Sequence, residues 1–175
     1  VLPTIRQMTI AELKRIAEID RSERITQQYV TVDGRLTLID VDIDASPWGG
    51  PREARVQHYI DEWRPLLDRG VMLGAFDGNR LAGFAIYARP GAKDFAQLAV
   101  LHISRLYRRT GLGRRLTDEV IALARGDGAS RLYVSATPTR GTVDFYMSCG
   151  FEPLATPDPE LFALEPDDIH LDVRL

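Results

Sequence analysis

The sequence predicts an α+β domain of the three-layer α/β kind, with one central, mixed and mostly antiparallel sheet flanked by helices. Three observations carry this expectation. Short strands come in hairpin pairs beside segments of helical period. A long apolar strand runs through a glycine-bearing turn into an amphipathic helix that leads to a further strand. The 175 residues contain no linker, repeat or low-complexity tract, so 1–175 read as a single domain.

Taken in order, Thr4 to Met8 reads as a short strand. A helix follows, opened by the capping-box spacing of Thr9 and Glu12, with Ile10, Leu13, Ile16 and Ala17 at helical intervals, and expected to reach Asp20 or Arg24. Period-two alternation from Tyr29 to Asp44 around Asp33-Gly34 predicts a hairpin. Ser46 to Pro51 reads as a loop. The next helix carries Val56, Tyr59, Ile60 and Trp63 on one face, and Pro65 is expected to kink it or end its first part. Val71 to Phe76 and Arg80 to Tyr87 flank the turn Asp77-Gly78-Asn79, and Phe95 to Ser104 is apolar enough for burial on both faces. Gly111 to Arg125 predicts a helix with Leu112, Leu116, Val120 and Leu123 in a stripe. Strand Arg131 to Ala136, short helix Thr142 to Ser148 ending at Gly150, and strands at Phe151-Glu152 and Ile169 to Val173 complete the chain.

Composition narrows the function classes. Formal net charge is −3, from 22 basic and 25 acidic residues, which gives no global attraction to nucleic acid. The single cysteine, Cys149, excludes an internal disulfide and any CxxC motif. No apolar run approaches the length of a membrane span. The opening Val1-Leu2-Pro3-Thr4 lacks the regions of a signal peptide, so the expectation is a cytoplasmic chain that binds neither membrane nor nucleic acid. It does not begin with Met, so residue 1 is not taken as a natural start. Asp40, Asp42 and Asp44 resemble the opening of a calcium loop, yet Ala45 stands where glycine is needed and Pro51 where the bidentate Glu belongs, so no metal is expected. Those carboxylates read either as an acidic rim for a cationic amine or as a solvated hairpin face. Tyr29, Trp48 and Trp63 are candidate walls of an acceptor pocket.

The chemistry concentrates between Leu101 and Leu116. All but two of the basic residues are arginine, and five of them, at 105, 108, 109, 114 and 115, surround Gly111 and Gly113 at a helix start. Successive N–H groups there, at the positive end of the helix dipole, form a cradle for a phosphate or pyrophosphate. The spacing is not that of a P-loop, and Leu116 stands where the third glycine of the dinucleotide fingerprint would be.

Arg108-Arg109-Thr110-Gly111-Leu112-Gly113 resembles the Arg/Gln-x-x-Gly-x-Gly/Ala signature of the GCN5-related N-acetyltransferases. Phe145-Tyr146-Met147-Ser148-Cys149-Gly150-Phe151 resembles a second segment of that family, Phe/Leu-Tyr-x-x-x-Gly-Phe. The order of elements is similar from end to end. The resemblance implies a sheet whose strands splay at an acyl-CoA site, and acetyl-CoA as co-substrate without a metal. It implies transfer of the acetyl group to a primary amine, on a small molecule or a peptide, by direct attack in a ternary complex. It places the pyrophosphate on the backbone of Arg109, Thr110, Gly111, Leu112, Gly113 and Arg114, after Arg108. The pantetheine arm falls along Leu101 to Ile103, with the N–H near Ile103 polarising the thioester carbonyl. Tyr146 becomes the proton donor to the departing thiolate. Thr139 stands where the family often has asparagine, free to cap the next helix or to meet the cofactor. A homodimer is implied as well.

The general base stays open. The strand positions where some relatives carry an acid or histidine fall at Gln97 or Ala99, which take no proton. Alternation turns His102 away from the face expected for 97, 99, 101 and 103 and makes it a packing residue. Glu23, His58 or an ordered water remain candidates. Cys149 reads as a small buried residue before a helix-ending glycine rather than an acyl carrier. A CoA-binding sensor on the same fold without turnover is the alternative function, and a nucleotide-dependent oxidoreductase a distant third.

Overall fold

The computed structural model describes residues 2–45 and 52–175. The expected loop Ser46 to Pro51, with Trp48, lies outside them. Nine strands and four α-helices are described: β1 Thr4–Gln7, β2 Glu23–Val32, β3 Arg35–Ala45, α1 Arg52–Asp68, β4 Gly70–Asp77, β5 Arg80–Ala88, β6 Phe95–Ile103, α2 Leu112–Gly126, β7 Arg131–Ala136, α3 Arg140–Ser148, β8 Glu152–Pro153, α4 Pro159–Leu164 and β9 Ile169–Arg174. Seven strands form one sheet in the order β1-β4-β5-β6-β7-β9-β8, and β2-β3 form a separate two-stranded sheet. Within the large sheet only β6 and β7 run parallel. This is the mixed, mostly antiparallel sheet that the hairpin pairs and the α2 crossover require.

Two apolar cores sit on its two faces. Leu112, Leu116 and Val120 of α2 pack with Val143 and Tyr146 of α3 against Ala85, Leu98, Leu132 and Val134. On the other face Val56, Ile60 and Trp63 of α1 join Leu13, Ile16 and Ile19 against Met72, Phe84, Ile86 and Val100. Three layers result, with the sheet in the middle. Helix α1 continues through Pro65 to Asp68 rather than ending at it.

The first helix departs from expectation in type and length. Ile10–Glu18 is a 3-10 helix, opened by the predicted capping box of Thr9 and Glu12. In a 3-10 helix residues three apart eclipse, and the buried positions are Leu13, Ile16 and Ile19. The strict spacing of three favours that form, and Ile10 stays exposed. Glu12 also binds Arg6 at 2.7 Å, which with the Thr9 N–H holds its carboxyl down at about 2.

Ending that helix early lets β2 begin at Glu23, six residues before the predicted start. The Asp33-Gly34 turn is as predicted, with both residues at positive φ, +49° and +74°. The sequence reading missed α4, although Asp158 caps it, accepting from the Leu161 N–H at 3.1 Å, with Pro159 at its first position.

Leu116, fully buried beneath the sheet, sets a stability test. Leu116→Ala should cost about 2–5 kcal/mol, read as a lowered urea midpoint without a change in slope.

Candidate active site

The site begins where β6 and β7 part. Their parallel pairing covers only Phe95 with Arg131, Ala96 with Leu132 and Gln97 with Tyr133. Two steps later β6 carries a bulge. Ile86 pairs with Val100 but Tyr87 with Leu98, so Ala99 is an extra residue. The bulge reverses the facing of all that follows. Leu98 belongs to the α2 side, Val100 to the α1 side, and Leu101 and Ile103 pack toward α2 and α3 again. The predicted common face of 97, 99, 101 and 103 therefore does not exist along the whole strand. Nor is β6 buried on both faces to its end: Phe95 to Leu98 are buried, whereas Leu101 to Ile103 are partly exposed at the split.

The split leaves a row of unpaired backbone. Ser104 N–H bonds Ala82 of β5 at 2.9 Å. Alternation along an antiparallel strand then turns the N–H groups of Ile103 and Leu101 to the opposite edge, which β7 has vacated. An extended amide chain laid there would restore the missing ladder.

At the end of β6, Arg105–Tyr107 form one 3-10 turn, and the chain then passes through Arg109 at φ +62° and Gly111 at +84° into α2. Gly111 is the N-cap and has no side chain to offer. The bond from Arg115 N–H to Gly111 C=O, 3.1 Å, leaves Leu112, Gly113 and Arg114 N–H without an intrahelical acceptor. A Cβ on Gly111 would meet nothing within 4 Å, so its φ is what requires glycine. Gly113 is different: a Cβ there would stand 3.3 Å from the Phe145 ring, so this glycine lets α2 lie close against α3.

The five arginines divide by role. Arg108 Nε donates to Ile103 C=O at 3.1 Å and Nη1 to Ser22 C=O at 3.2 Å, clamping the turn to both strands. Arg114 donates to Ser148 C=O at 2.6 Å and Arg115 to Pro3 C=O at 2.9 Å. Arg105 and Arg109 are exposed on the rim. The anion cradle is thus mainly backbone, with Arg109 beside it.

Across the split, Thr139 caps α3. Its hydroxyl accepts from the Thr142 N–H at 3.2 Å and donates to Thr142 Oγ1 at 2.9 Å. Tyr146 lies about two turns further on. Its ring is 5% exposed, set edge-on to Phe145 and Phe151 at 5.2 and 5.4 Å. Its hydroxyl makes no hydrogen bond among the described residues, and no wholly buried side-chain oxygen among them lacks a partner, so the oxygen is not fully enclosed. Burial, with the Cys149 thiol and the Asp168 carboxylate nearby, raises its pKa well above that of a free phenol. The hydroxyl keeps its proton at neutral pH.

The remaining candidates separate clearly. His102 faces α1, with ring centroids 5.4 Å from Phe84 and 6.2 Å from Trp63. Burial and the charges of Arg21 and Arg108 push it down to about 3, so it is neutral and packs as predicted. His58 sits on the outer side of α1, 3.6 Å from Glu62. Cys149 follows α3, half-buried, its thiol raised by burial. Arg24 binds Asp42 at 2.6 Å and Asp44 at 3.1 Å, while Gln27 donates to Asp40 at 3.1 Å, so the predicted acidic rim is internally paired. Tyr29 donates to Asp144 at 2.7 Å, which seats the hairpin on α3.

Asp168, at the entrance to β9 and within electrostatic reach of Tyr146, was missed, because an Asp-Asp doublet before an apolar strand has no signature. Burial, Glu165 and Asp167 raise it to about 6. A raised carboxyl stabilises the fold below its unfolded value near 4 and loses that contribution as pH rises through 6. Asp168→Asn should therefore melt above the wild type at pH 7, with the two midpoints converging toward pH 4.

Comparison with known proteins places this geometry. The family model described as Acetyltransferase (GNAT) family matches residues 39–151. No curated protein matches the chain by sequence. Among solved structures, nourseothricin acetyltransferase superposes with a TM-score of 0.75 at 17% identity, over 98% of this chain and 97% of that one. A Bacillus anthracis protein assigned as a streptothricin acetyltransferase, solved with acetyl coenzyme A, gives 0.74 at 18% identity over 100% and 99%. The PaiA N-acetyltransferase of Thermoplasma acidophilum, solved with coenzyme A, gives 0.63 at 18% over 98% of each chain. With its signature turn inside the matched segment and its split sheet intact, the chain belongs to the GNAT acetyltransferase family.

Proposed function

We propose that the chain transfers an acetyl group from acetyl-CoA to a primary amine of a small molecule, by direct attack. The observation that carries this reading is the pairing of a backbone anion cradle at Gly111 to Arg114 with the unpaired edge of Leu101 and Ile103, with Ile103 and the Phe145 ring of α3, next to Tyr146 in the chain, both close to Gly113. The cradle suits the pyrophosphate. The strand edge suits the amide-bearing pantetheine arm. The Ile103 N–H is aimed where negative charge would develop on the thioester oxygen.

The chemistry then follows from these residues. The amine nitrogen bonds to the carbonyl carbon, the carbon–sulfur bond breaks, and one amine proton is lost. Tyr146 gives its proton to the leaving thiolate and recovers one from solvent, so atoms and charge balance. Streptothricin is the first acceptor to test, because a neighbour named for it superposes over nearly the whole chain, as does one named for nourseothricin. Spermidine and lysine complete the panel. Thiol release with any of these amines supports the reading; CoA binding without turnover on amines would favour a sensor instead.

Tyr146→Phe should lower kcat by about 100-fold, the lower end for loss of a general acid, with CoA affinity unchanged by calorimetry. Retained turnover would remove Tyr146 from the mechanism. Gly111→Asp sets a carboxylate at the helix N-terminus, where space is open. It should weaken CoA binding by at least tenfold while circular dichroism stays that of the wild type.

A further inference from the structure

Strand β2 crosses the mouth of the split. Ser22, just before it, is held by Arg108, which also holds Ile103 at the end of β6. Six residues on, Gln28 bridges Thr139, and Tyr29 N–H bonds Pro138 C=O at 2.8 Å, at the far bank where β7 turns into α3. The strand is therefore tied to both sides of the wedge. Alternation along it leaves Glu23 and Ile25 half-buried and Arg24 and Thr26 exposed, so Glu23 faces inward.

The Glu23 carboxylate lies between the two banks. Oε2 is 3.7 Å from Arg108 Nη1, and Oε1 would stand 3.9 Å from a Cβ built on Gly141 in the first turn of α3. Its side chain is 40% exposed and holds no closer ion pair or hydrogen bond among the described residues. We propose that Glu23 accepts the proton from the attacking amine, an assignment that rests on the transfer reading above.

Two other carboxylates that flank β2 are engaged. Asp20 accepts from Ser22 N–H and Oγ–H at 2.9 and 2.6 Å. Asp144 is shared by Tyr29 and Arg140, the latter at 3.3 Å. The charged groups around Glu23 are Arg108 from the signature turn, Arg140 and Asp144 from α3, and Arg21 and Arg24 in its own segment. Gly141 leaves the floor beneath the carboxylate open. An ammonium entering there gives one proton to Glu23, which passes it on to solvent, and the neutral amine presents its lone pair toward the edge of β6. The second N–H proton, shed as the C–N bond forms, goes to the carboxylate in turn, while Tyr146 supplies the one that the thiolate takes up.

The test compares wild type, Glu23→Gln and His58→Gln, a change on the outer side of α1, using the first of streptothricin, spermidine and lysine that the wild type acetylates, from pH 6 to 10. Glu23→Gln should lower kcat by about 100-fold or more and leave the KM for acetyl-CoA and the melting temperature unchanged. Its rate should climb about tenfold per pH unit toward pH 10, since only amine already neutral in solution reacts, while the wild type levels off earlier. His58→Gln should keep the wild-type profile. Unchanged kcat in Glu23→Gln, a loss with the wild-type pH profile, or transfer of the effect to His58→Gln would each overturn the assignment. A wild type inert on all three amines would overturn the transfer reading and this one with it, whereas an active wild type beside an unaffected Glu23→Gln overturns this one alone.

Discussion

The separation of β6 from β7 after Gln97 and Tyr133 is the constraint on which the site depends. A sheet interior normally spends every backbone N–H and C=O on its neighbours, because an unpaired buried group costs about as much as a lost hydrogen bond. Here the ladder stops while both strands continue. The bulge at Ala99 occurs just beyond the last pair, and by adding one residue it turns Leu101 and Ile103 back into the α2 core. The strand stays anchored to β5 by its other edge and by its side chains, while its wedge-side N–H groups are left to solvent or substrate. Stability and function thus draw on opposite edges of one strand.

The anion cradle follows the same economy. Net charge is −3, and the basic cluster at the turn looks like a set of phosphate ligands. In three dimensions Arg108, Arg114 and Arg115 each donate to backbone carbonyls. They fix the turn against β2, β6, α3 and the N-terminal strand. The donors left for an anion are backbone N–H groups at the start of α2, which have one geometry and no rotamer entropy to lose. Forked guanidinium groups hold in place the backbone proposed to bind the anion.

Much of this was legible in the residues. Asp33-Gly34, the alternation on β4 and β5, and the apolar stripe of α2 each state a local period that tertiary packing supports. The Gly-x-Gly turn and the Phe145-Tyr146 segment marked both banks of the wedge. Other features were not legible for identifiable reasons. Leu13, Ile16 and Ile19 fit both a 3.6-residue helix and a 3-10 helix over so short a span, and packing against α1 decides between them. The bulge at Ala99 has no sequence mark, since alanine suits either face, and it alone changes which β6 residues share a side. The bonds of the Arg108 head group to two backbone carbonyls could not be read from a motif that counts it only as a charge.

Glu23 belongs to this second kind. Sequence named it only as one of several N-terminal candidates, because its relevance comes from β2 crossing the wedge, a contact between segments over a hundred residues apart. The family match begins at residue 39, so the cofactor side of the wedge falls within it and β2 outside it. That division has a physical counterpart. The cofactor presents the same pyrophosphate and amide groups whatever the acceptor, so one turn and one strand edge suffice to hold it. Acceptors differ in shape and charge, and the side proposed for the acceptor is roofed by a separate hairpin held at its base by Arg108 and at its far side by Asp144. Such a roof can change its inward residues without disturbing the ladder of the main sheet. On the proposed reading, specificity for the amine is separated, in structure and in chain position, from the chemistry of the thioester.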